Sequence, residues 1–400
     1  LFTTMMDSVP APRPKWEIFC EVVDNFGDIG VCWRLARDLA RRELAAVRLW
    51  VDDWAVLTRI CPAASGMDPA VGGMVEGVEL RHWTRAFVAS APGEIVIEAF
   101  ACELPLVQLE AMAAQAVAPV WINLEYLSAE DWVAGCHGMA SPHPRLPLVK
   151  HFFFPGFDAN TGGLLREPEL LARRDRFLAQ AQGRAAWRAA CGLPAAGDEG
   201  LVVSLFAYEQ PAVRALLHAW EKSALPIHVL VPVSRILPDL ATALICAIPE
   251  IGTRIERGAL CVHLLPFTDQ DRYDELLWAC DLNFVRGEDS FVRAQWAAHP
   301  FVWQIYPQAD EAHRDKLEAF LARYSAGLPQ ATADALAQFW RAWNDCADHG
   351  TTPAAAWPAF ADALPALAAH ARAWCEAQAA LPDLADRLTK FCSHFRDGAG

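Results

Sequence analysis

Asp24-Asn25-Phe26-Gly27-Asp28-Ile29-Gly30 is the stretch on which the fold of this chain turns. An apolar run, Trp16 to Val23, precedes it and reads as a first β-strand. A segment with helical patterning, Val31 to Arg42, follows it. The aspartates and glycines therefore fall in the first strand-to-helix turn. In an open α/β sheet, ligands collect at that edge, outside the carboxyl ends of the strands. The turn lacks the three-glycine dinucleotide fingerprint and the lysine of a P-loop. It therefore predicts acid/base or cation-binding chemistry rather than phosphate binding, and it weighs against an NAD-type dehydrogenase.

The alternation continues outward from that turn. Strands are predicted over 47–51, 94–99, 117–123 and 148–153, with helices over 54–61, 105–115 and 169–191. Residues 192–200 hold glycine, proline and small residues and read as a linker. Strands then return over 201–206, 227–231, 260–265, 282–285 and 301–304, with helices over 211–223, 238–248, 269–279 and 291–298. From Asp310 onward the pattern is helical, broken near Gly327, Gly350 and Pro382. Short apolar strands alternating with helices imply parallel sheets covered on both faces. The expectation is α/β, with two doubly wound Rossmann-like domains facing across a cleft. They span 15–192 and 200–325, and a helical C-terminal tail, 326–400, packs on the two.

Composition narrows the function. The 400 residues exceed one ordinary core, and the 54% hydrophobic content can fill two. No apolar run is long enough to span a membrane. Leu1 to Pro14 read as a loose leader without a signal-peptide core, so the expected location is cytoplasmic. A net charge of −15 disfavours direct nucleic-acid binding, which needs a basic stripe. It suits a basic partner or a small substrate. Among the 12 cysteines there is no CxxC pair. Cys20, Cys102, Cys246 and Cys280 lie in apolar segments and are expected to be buried, reduced thiols.

A second constellation, Arg286-Gly287-Glu288-Asp289-Ser290, sits between a strand and a helix. A helix N-terminus preceded by glycine offers free N–H groups to an anion, and Arg286 can add a charge-assisted pair. The turn reads either as a diphosphate cradle or as an ordinary capped helix. Phe206, Tyr208 and Phe267 end neighbouring strands, where they either stack on a base or close the core edge. Asp269-Gln270-Asp271 matches a metal-binding DxD pattern, yet acidic residues are expected at a helix start anyway. The histidines, His151 and His313 included, show no zinc spacing. No GxSxG elbow is present.

With both turns read, the chain resembles the protein-arginine rhamnosyltransferases of the EarP type, which modify bacterial elongation factor P. The matching residues are Asp24 to Gly30, Glu98-Ala99-Phe100-Ala101-Cys102, Asn123-Leu124-Glu125-Tyr126-Leu127-Ser128-Ala129-Glu130 and Gly162-Gly163-Leu164. In the second half they are Pro266-Phe267, Arg286 to Gln295 and Ile305-Tyr306-Pro307-Gln308. Within Phe206-Ala207-Tyr208-Glu209, the alanine departs from the family pattern. The resemblance implies a GT-B fold, with the acceptor on the first domain and the nucleotide sugar on the second. It implies dTDP-β-L-rhamnose as donor, inversion at the anomeric carbon, and one arginine of elongation factor P as acceptor. No metal or other cofactor is expected. The catalytic positions fall on Asp24, Asp28 and Glu288. Donor-binding positions fall on Tyr208, Phe267, Gln270, Arg286, Asp289 and Ser290, with Phe206 and Gly287 beside them. Asn25, Phe26, Gly27 and Gly30 supply the backbone of the acidic turn.

Such a reaction faces a physical obstacle. A guanidinium has a pKa of about 13.8, so making it neutral at pH 7 costs roughly 9 kcal/mol at about 1.36 per unit. A free aspartate cannot remove that proton in advance. A carboxylate pair can orient and polarise one nitrogen, and one of the two can take the proton as the C–N bond forms. Asp28 is the expected base and Asp24 its orienting partner. Two other readings compete. One is a GT-B transferase acting on a small molecule or glycan; the other is a noncatalytic, nucleotide-dependent binder of a translation factor.

Overall fold

The structure, a computed structural model, describes residues 13–24, 26–84, 86–180, 183–193, 200–308, 311–347 and 350–397. Asn25, nearly all of the leader and most of the expected linker lie outside the described residues.

The first half builds an eight-stranded sheet. Its strands are β1 (Lys15–Cys20), β2 (Ala46–Val51), β3 (Gly73–Val75), β4 (Val78–His82), β5 (Ile95–Ala99), β6 (Val120–Leu124), β7 (Ala140–Pro142) and β8 (Val149–Phe153). They lie in the order β3-β4-β2-β1-β5-β6-β8-β7. Helices α1 (Gly27–Arg41), α2 (Trp54–Ile60), α3 (Leu106–Ala113), α4 (Val133–Cys136), α5 (Leu170–Ala179) and α6 (Gly183–Ala190) accompany it. The second half builds a six-stranded sheet from β9 (Leu201–Leu205), β10 (Ile227–Pro232), β11 (Arg254–Arg257), β12 (Leu260–Leu265), β13 (Leu282–Arg286) and β14 (Phe301–Gln304). The order there is β11-β12-β10-β9-β13-β14. Helices α7 (Val213–Trp220), α8 (Leu237–Ala243), α9 (Gln270–Ala279) and α10 (Asp289–Ala297) cover it. Helix α11 (Ala312–Tyr324) follows β14, and the tail is α12 (Gln330–Trp343), α13 (Pro353–Ala379) and α14 (Leu384–Asp397).

Central strands such as β5 and β10 are buried at every position, as a sheet covered on both faces requires. β1 lies between β2 and β5, in parallel to both, and β9 likewise lies between β10 and β13. Strand order reverses at each of these pairs, so each sheet opens a crevice there. The acidic turn leaves β1 at the first crevice. The Arg286 turn leaves β13 at the second.

The tail divides between the two cores. Phe339, Trp340 and Trp343 of α12 and Trp357 and Phe360 of α13 join the core of the second sheet. Leu384, Ala385, Leu388 and Cys392 of α14 join the core of the first.

Some expectations need correction. Helix α1 starts at Gly27, four residues before the predicted Val31. Glycine is a poor helix former, but tertiary contact overrides that here: a Cβ on Gly30 would lie 3.2 Å from the Asp289 side chain. The helix predicted over 169–191 is two helices, because Gln180 leaves helical geometry with ψ 118°. Cys246 is exposed, since α8 ends at Ala243 and leaves it in the following turn.

A buried ion cluster joins the domains. Arg34 of α1 is completely buried. Its guanidinium meets Asp289 at 2.8 Å, Asp274 of α9 at 3.1 Å and Glu167 at 3.5 Å. Arg293 of α10 meets the same Asp274 and Glu167, each at 2.6 Å. Gln270 adds a bond from its Nε2 to the Gly30 carbonyl at 2.9 Å. Removing one member of a buried ion pair leaves the others uncompensated and costs about 3–5 kcal/mol. Arg34→Met should therefore lower the thermal unfolding midpoint sharply. Arg34→Met with Asp289→Asn should recover part of the loss, as read by calorimetry at pH 7.

Candidate active site

The acidic turn is tied by its own backbone. Gly27 N donates to Asp24 O at 2.6 Å. Asp28, in the first turn of α1, reaches back, and its Oδ2 accepts the N–H groups of Val23 and Asp24 at 2.8 and 2.7 Å. Its Oδ1 accepts the Tyr126 hydroxyl at 3.0 Å. Burial raises the Asp28 pKa, and these three hydrogen bonds oppose it by favouring the charged form. Phe26 leads into α1, and its ring packs on Phe267 at 4.8 Å between centroids.

Asp24 stands where the domains meet. The Tyr208 hydroxyl donates to its Oδ2 at 2.5 Å, and Arg286 Nη1 lies 3.4 Å from its Oδ1. Glycines on both sides make room for this carboxylate. A Cβ on Gly27 would fall 2.5 Å from Asp24 Oδ2, and one on Gly287 would fall 2.6 Å from it. Gly287 also has φ +60°, which glycine adopts without steric cost. Burial pushes Asp24 up to about 6, against the pull of Arg286 and the Tyr208 hydroxyl.

The Arg286 turn presents a buried cation. Its guanidinium stacks over Phe206 and Tyr208, at 4.6 and 4.5 Å from the ring centroids. Arg286 is 3% exposed, and its Nε and Nη2 have no hydrogen-bond partner among the described residues. Ser290 closes the turn: Arg286 N donates to its Oγ at 3.0 Å, and the hydroxyl donates to Arg286 O. The Asp289 carboxylate is held by Arg34 and by Gln270 Nε2 at 3.3 Å. What the turn presents to the slot is the unpartnered Nε and Nη2 edge of Arg286, beside the first residues of α10.

Two cavities flank Gly27. A narrow slot of about 60 Å³ is lined by Phe206, Phe267, Gln270, Arg286 and Ser290. A larger cavity of about 310 Å³ is lined by Asp24, Asp28 and Glu288, with Tyr126, Tyr306 and Lys316 at its walls. Glu288 Oε2 accepts Leu127 N at 2.9 Å, and burial pushes its pKa up to about 8. Carboxyl groups from both domains therefore surround the larger cavity, while the slot is lined by Arg286 and by an Asp289 carboxylate already held by Arg34 and Gln270. The pair suits a cation on one side and an anion on the other.

The described site residues singled out from sequence thus gather on these two cavities and the wall between them. The DxD pair is otherwise engaged. Asp269 caps α9 through Arg272 N at 2.9 Å, and Asp271 pairs with Arg37 and Arg173. His151 packs against Phe395, and His313 accepts Gln308 N at 3.1 Å. His228, Cys261 and His263 bring three potential donor atoms within 4.8 Å of one another. They line neither cavity, and Arg254 donates to Cys261 Sγ at 3.2 Å, which sets a positive charge against a metal ion. Sequence reasoning gave no role to Arg34, Arg293, Tyr126 or Lys316. Arg34 carried only the signal of a cation within an apolar helical face.

Two facing Rossmann-like domains with a cleft between them and a helical tail define a GT-B glycosyltransferase. A family model described as "Elongation-Factor P (EF-P) rhamnosyltransferase EarP" matches residues 16–393. The chain belongs to this EarP family. It is 51% identical to the protein-arginine rhamnosyltransferase of Pseudomonas putida over 360 residues, covering 90% of this chain and 93% of that one. It is 49% identical to the Pseudomonas aeruginosa enzyme of the same name over 352 residues, covering 88% and 91%. Among solved structures it is similar to one described as the structural basis for EarP-mediated arginine glycosylation of translation elongation factor EF-P. That match has 37% identity and a TM-score of 0.67, and covers 96% of this chain and 99% of the other.

The raised Glu288 pKa makes a stability prediction. In the unfolded chain this carboxyl loses its proton near pH 4.5, and in the folded protein near pH 8. Folding therefore binds a proton between those values, and stability falls as pH rises through them. Glu288→Gln keeps an acceptor for Leu127 N and removes the titration. Its stability relative to the parent should grow from pH 4.5 to pH 8, by a few kcal/mol at about 1.36 per unit, then level off. Thermal unfolding across pH 4–9 reads this directly; a constant difference would contradict it.

Proposed function

We propose that the protein transfers L-rhamnose from dTDP-β-L-rhamnose to one arginine side chain of translation elongation factor P, with inversion at the anomeric carbon. Family membership and the names of the relatives support the acceptor and the sugar. The observation that carries the site assignment is the buried guanidinium of Arg286, which keeps two unpartnered donors beside the N-terminus of α10. Such a cation calls for an anionic ligand, and a nucleoside diphosphate fits. Phe206 and Phe267, at the slot, offer faces for the base.

The acceptor guanidinium enters the larger cavity, where Asp24 and Asp28 orient it. The reaction is a single displacement. An arginine nitrogen attacks the anomeric carbon, the bond from that carbon to the diphosphate oxygen breaks, and dTDP leaves with the electron pair. The nitrogen becomes more acidic as the bond forms, and its proton passes to Asp28. The diphosphate charge is met by Arg286 and the α10 amides rather than by a metal ion. Attack from the side opposite the slot gives inversion. Glu288, raised to about 8, is largely neutral at pH 7 and can donate a hydrogen bond to the sugar or the acceptor. The chain has no helix, among the described residues, long and apolar enough to cross a membrane. A cytoplasmic location follows from the proposed acceptor.

Incubation with dTDP-rhamnose and purified elongation factor P should add one deoxyhexose to the acceptor, and fragmentation should place it on an arginine. An acceptor unchanged in mass would overturn the reading. Asp28→Asn should abolish turnover while dTDP still binds in calorimetry; full activity would remove Asp28 as base. Arg286→Ala should weaken dTDP binding by about tenfold or more, the worth of a charge-assisted bond. Turnover in the parent should climb as pH rises through about 6, where Asp24 ionises.

A further inference from the structure

The turn after β5 is under backbone strain. Phe100 and Ala101 both have φ +56°, and Glu103 has φ +48°. Side chains other than glycine rarely adopt that region, and consecutive residues do so only when their surroundings over-determine it. Those surroundings are visible here. Phe100 N donates to Leu124 O at 2.7 Å, Ala101 N to Asn123 Oδ1 at 3.1 Å, and Cys102 N to Ala99 O at 3.2 Å. The first two bonds tie the turn to β6, whose chain continues into Glu125 and Tyr126. The Phe100 ring lies flat on the Tyr126 ring, with centroids 4.4 Å apart and planes 15° from parallel. The hydroxyl of Tyr126 ends 3.0 Å from Asp28 Oδ1, the oxygen that the turn amides leave free. Both residues line the larger cavity.

We propose that Tyr126 is a positioning residue that fixes the rotation of the Asp28 carboxylate, and that the strained Phe100-Ala101 turn holds Tyr126 in place by stacking. The inference rests on the reading of Asp28 as the base. With Oδ2 held by two backbone amides and Oδ1 by the hydroxyl, the carboxylate plane cannot turn. Its remaining lone pair on Oδ1 then points into the cavity toward the arriving N–H. A carboxylate free to rotate would meet that proton in many orientations, most of them unproductive. The strain is stored in a segment that touches no reacting atom. It acts through one ring face and one hydroxyl.

The charged and titratable groups facing Asp28 come from several elements. Asp24 lies in its own turn, Asp52 follows β2, and Cys20 and Cys32 belong to β1 and α1. Glu288 approaches from the second domain, and Lys316 of α11 stands at the cavity wall. Among the donors to Oδ1, the described residues supply Tyr126 alone.

Tyr126→Phe keeps the stack and deletes the hydroxyl. With elongation factor P and dTDP-rhamnose, kcat should fall roughly ten- to a hundredfold, the fold-change carried by one hydrogen bond to a charged group. The donor KM should stay within about twofold, because the slot is untouched. A hydrogen bond to the ionised form lowers a carboxyl pKa, so its loss should move the titration of Asp28 upward. Phe100→Leu keeps the hydroxyl and removes the platform, and should give a smaller fall in the same direction. The titration can also be read without turnover, by carbon-13 NMR of aspartate-labelled protein, with the Asp28 signal assigned from Asp28→Asn. An Asp28 titration unmoved in Tyr126→Phe would overturn the proposal, whether or not the acceptor is modified. A moved titration with no modification by the parent would leave the positioning intact and fault the functional reading instead.

Discussion

Arg34 is the contact on which the rest of the arrangement depends. It is a guanidinium without exposed surface, and its three carboxylate partners come from beyond its own helix. A charge of that kind cannot be removed from water alone. It is tolerable only when α9, α10 and the Glu167 segment are all in place around α1. The ion cluster thus fixes the distance between the two crevices, and with it the distance between Asp28 and Arg286. Arg293 completes it by sharing Asp274 and Glu167, so that no carboxylate faces Arg34 without a second cation nearby.

That fixed distance explains how two opposite electrostatic environments sit so close. On one side of Gly27 the slot is lined by Arg286, and the Asp289 carboxylate there is already paired with Arg34. On the other, carboxylates from both domains face the cavity. Asp24 forms the wall and is touched by both, through Arg286 and through its place beside Asp28. Burial of these carboxylates raises their pKa values, which is a cost to folding. The same burial makes Asp24 and Asp28 stronger partners for a cation that arrives and displaces water. Only glycine at 27 and 287 leaves room for the wall, so the backbone chemistry of both turns is as restrictive as their side chains.

Much of this is legible in the sequence. The strand and helix alternation, the two turns and the breaks at Gly327, Gly350 and Pro382 follow from local pattern, and the tail helices end close to those breaks. The early start of α1 was not legible, because, of the two glycines that argue against helix, Gly27 makes room for the Asp24 side chain and Gly30 for Asp289, a neighbour 259 residues later in the chain. Strand β4 was not predicted, and the edge strands β3, β7 and β11 were missed for another reason. Each edge strand is three or four residues long, too short to show an alternating pattern, and each lies beside an antiparallel partner. The turn residues were identified, but not the pairings among them. Nothing in the spacing of Asp289 announces Arg34, and nothing in Tyr126 announces Asp28. Such pairings are properties of tertiary distance.

Helix α14 carries a consequence for how the molecule comes into being. Leu384, Leu388 and Cys392 pack into the sheet that starts at Lys15, so the first core is closed by residues made after the whole second sheet. During synthesis, which proceeds from the amino end, the first half must wait with an apolar flank open while the whole second half emerges. Contacts this distant in sequence are slow to form. The nascent first half should accordingly be a client for holding by chaperones, and a fragment ending before α14 should be poorly soluble rather than a free-standing domain.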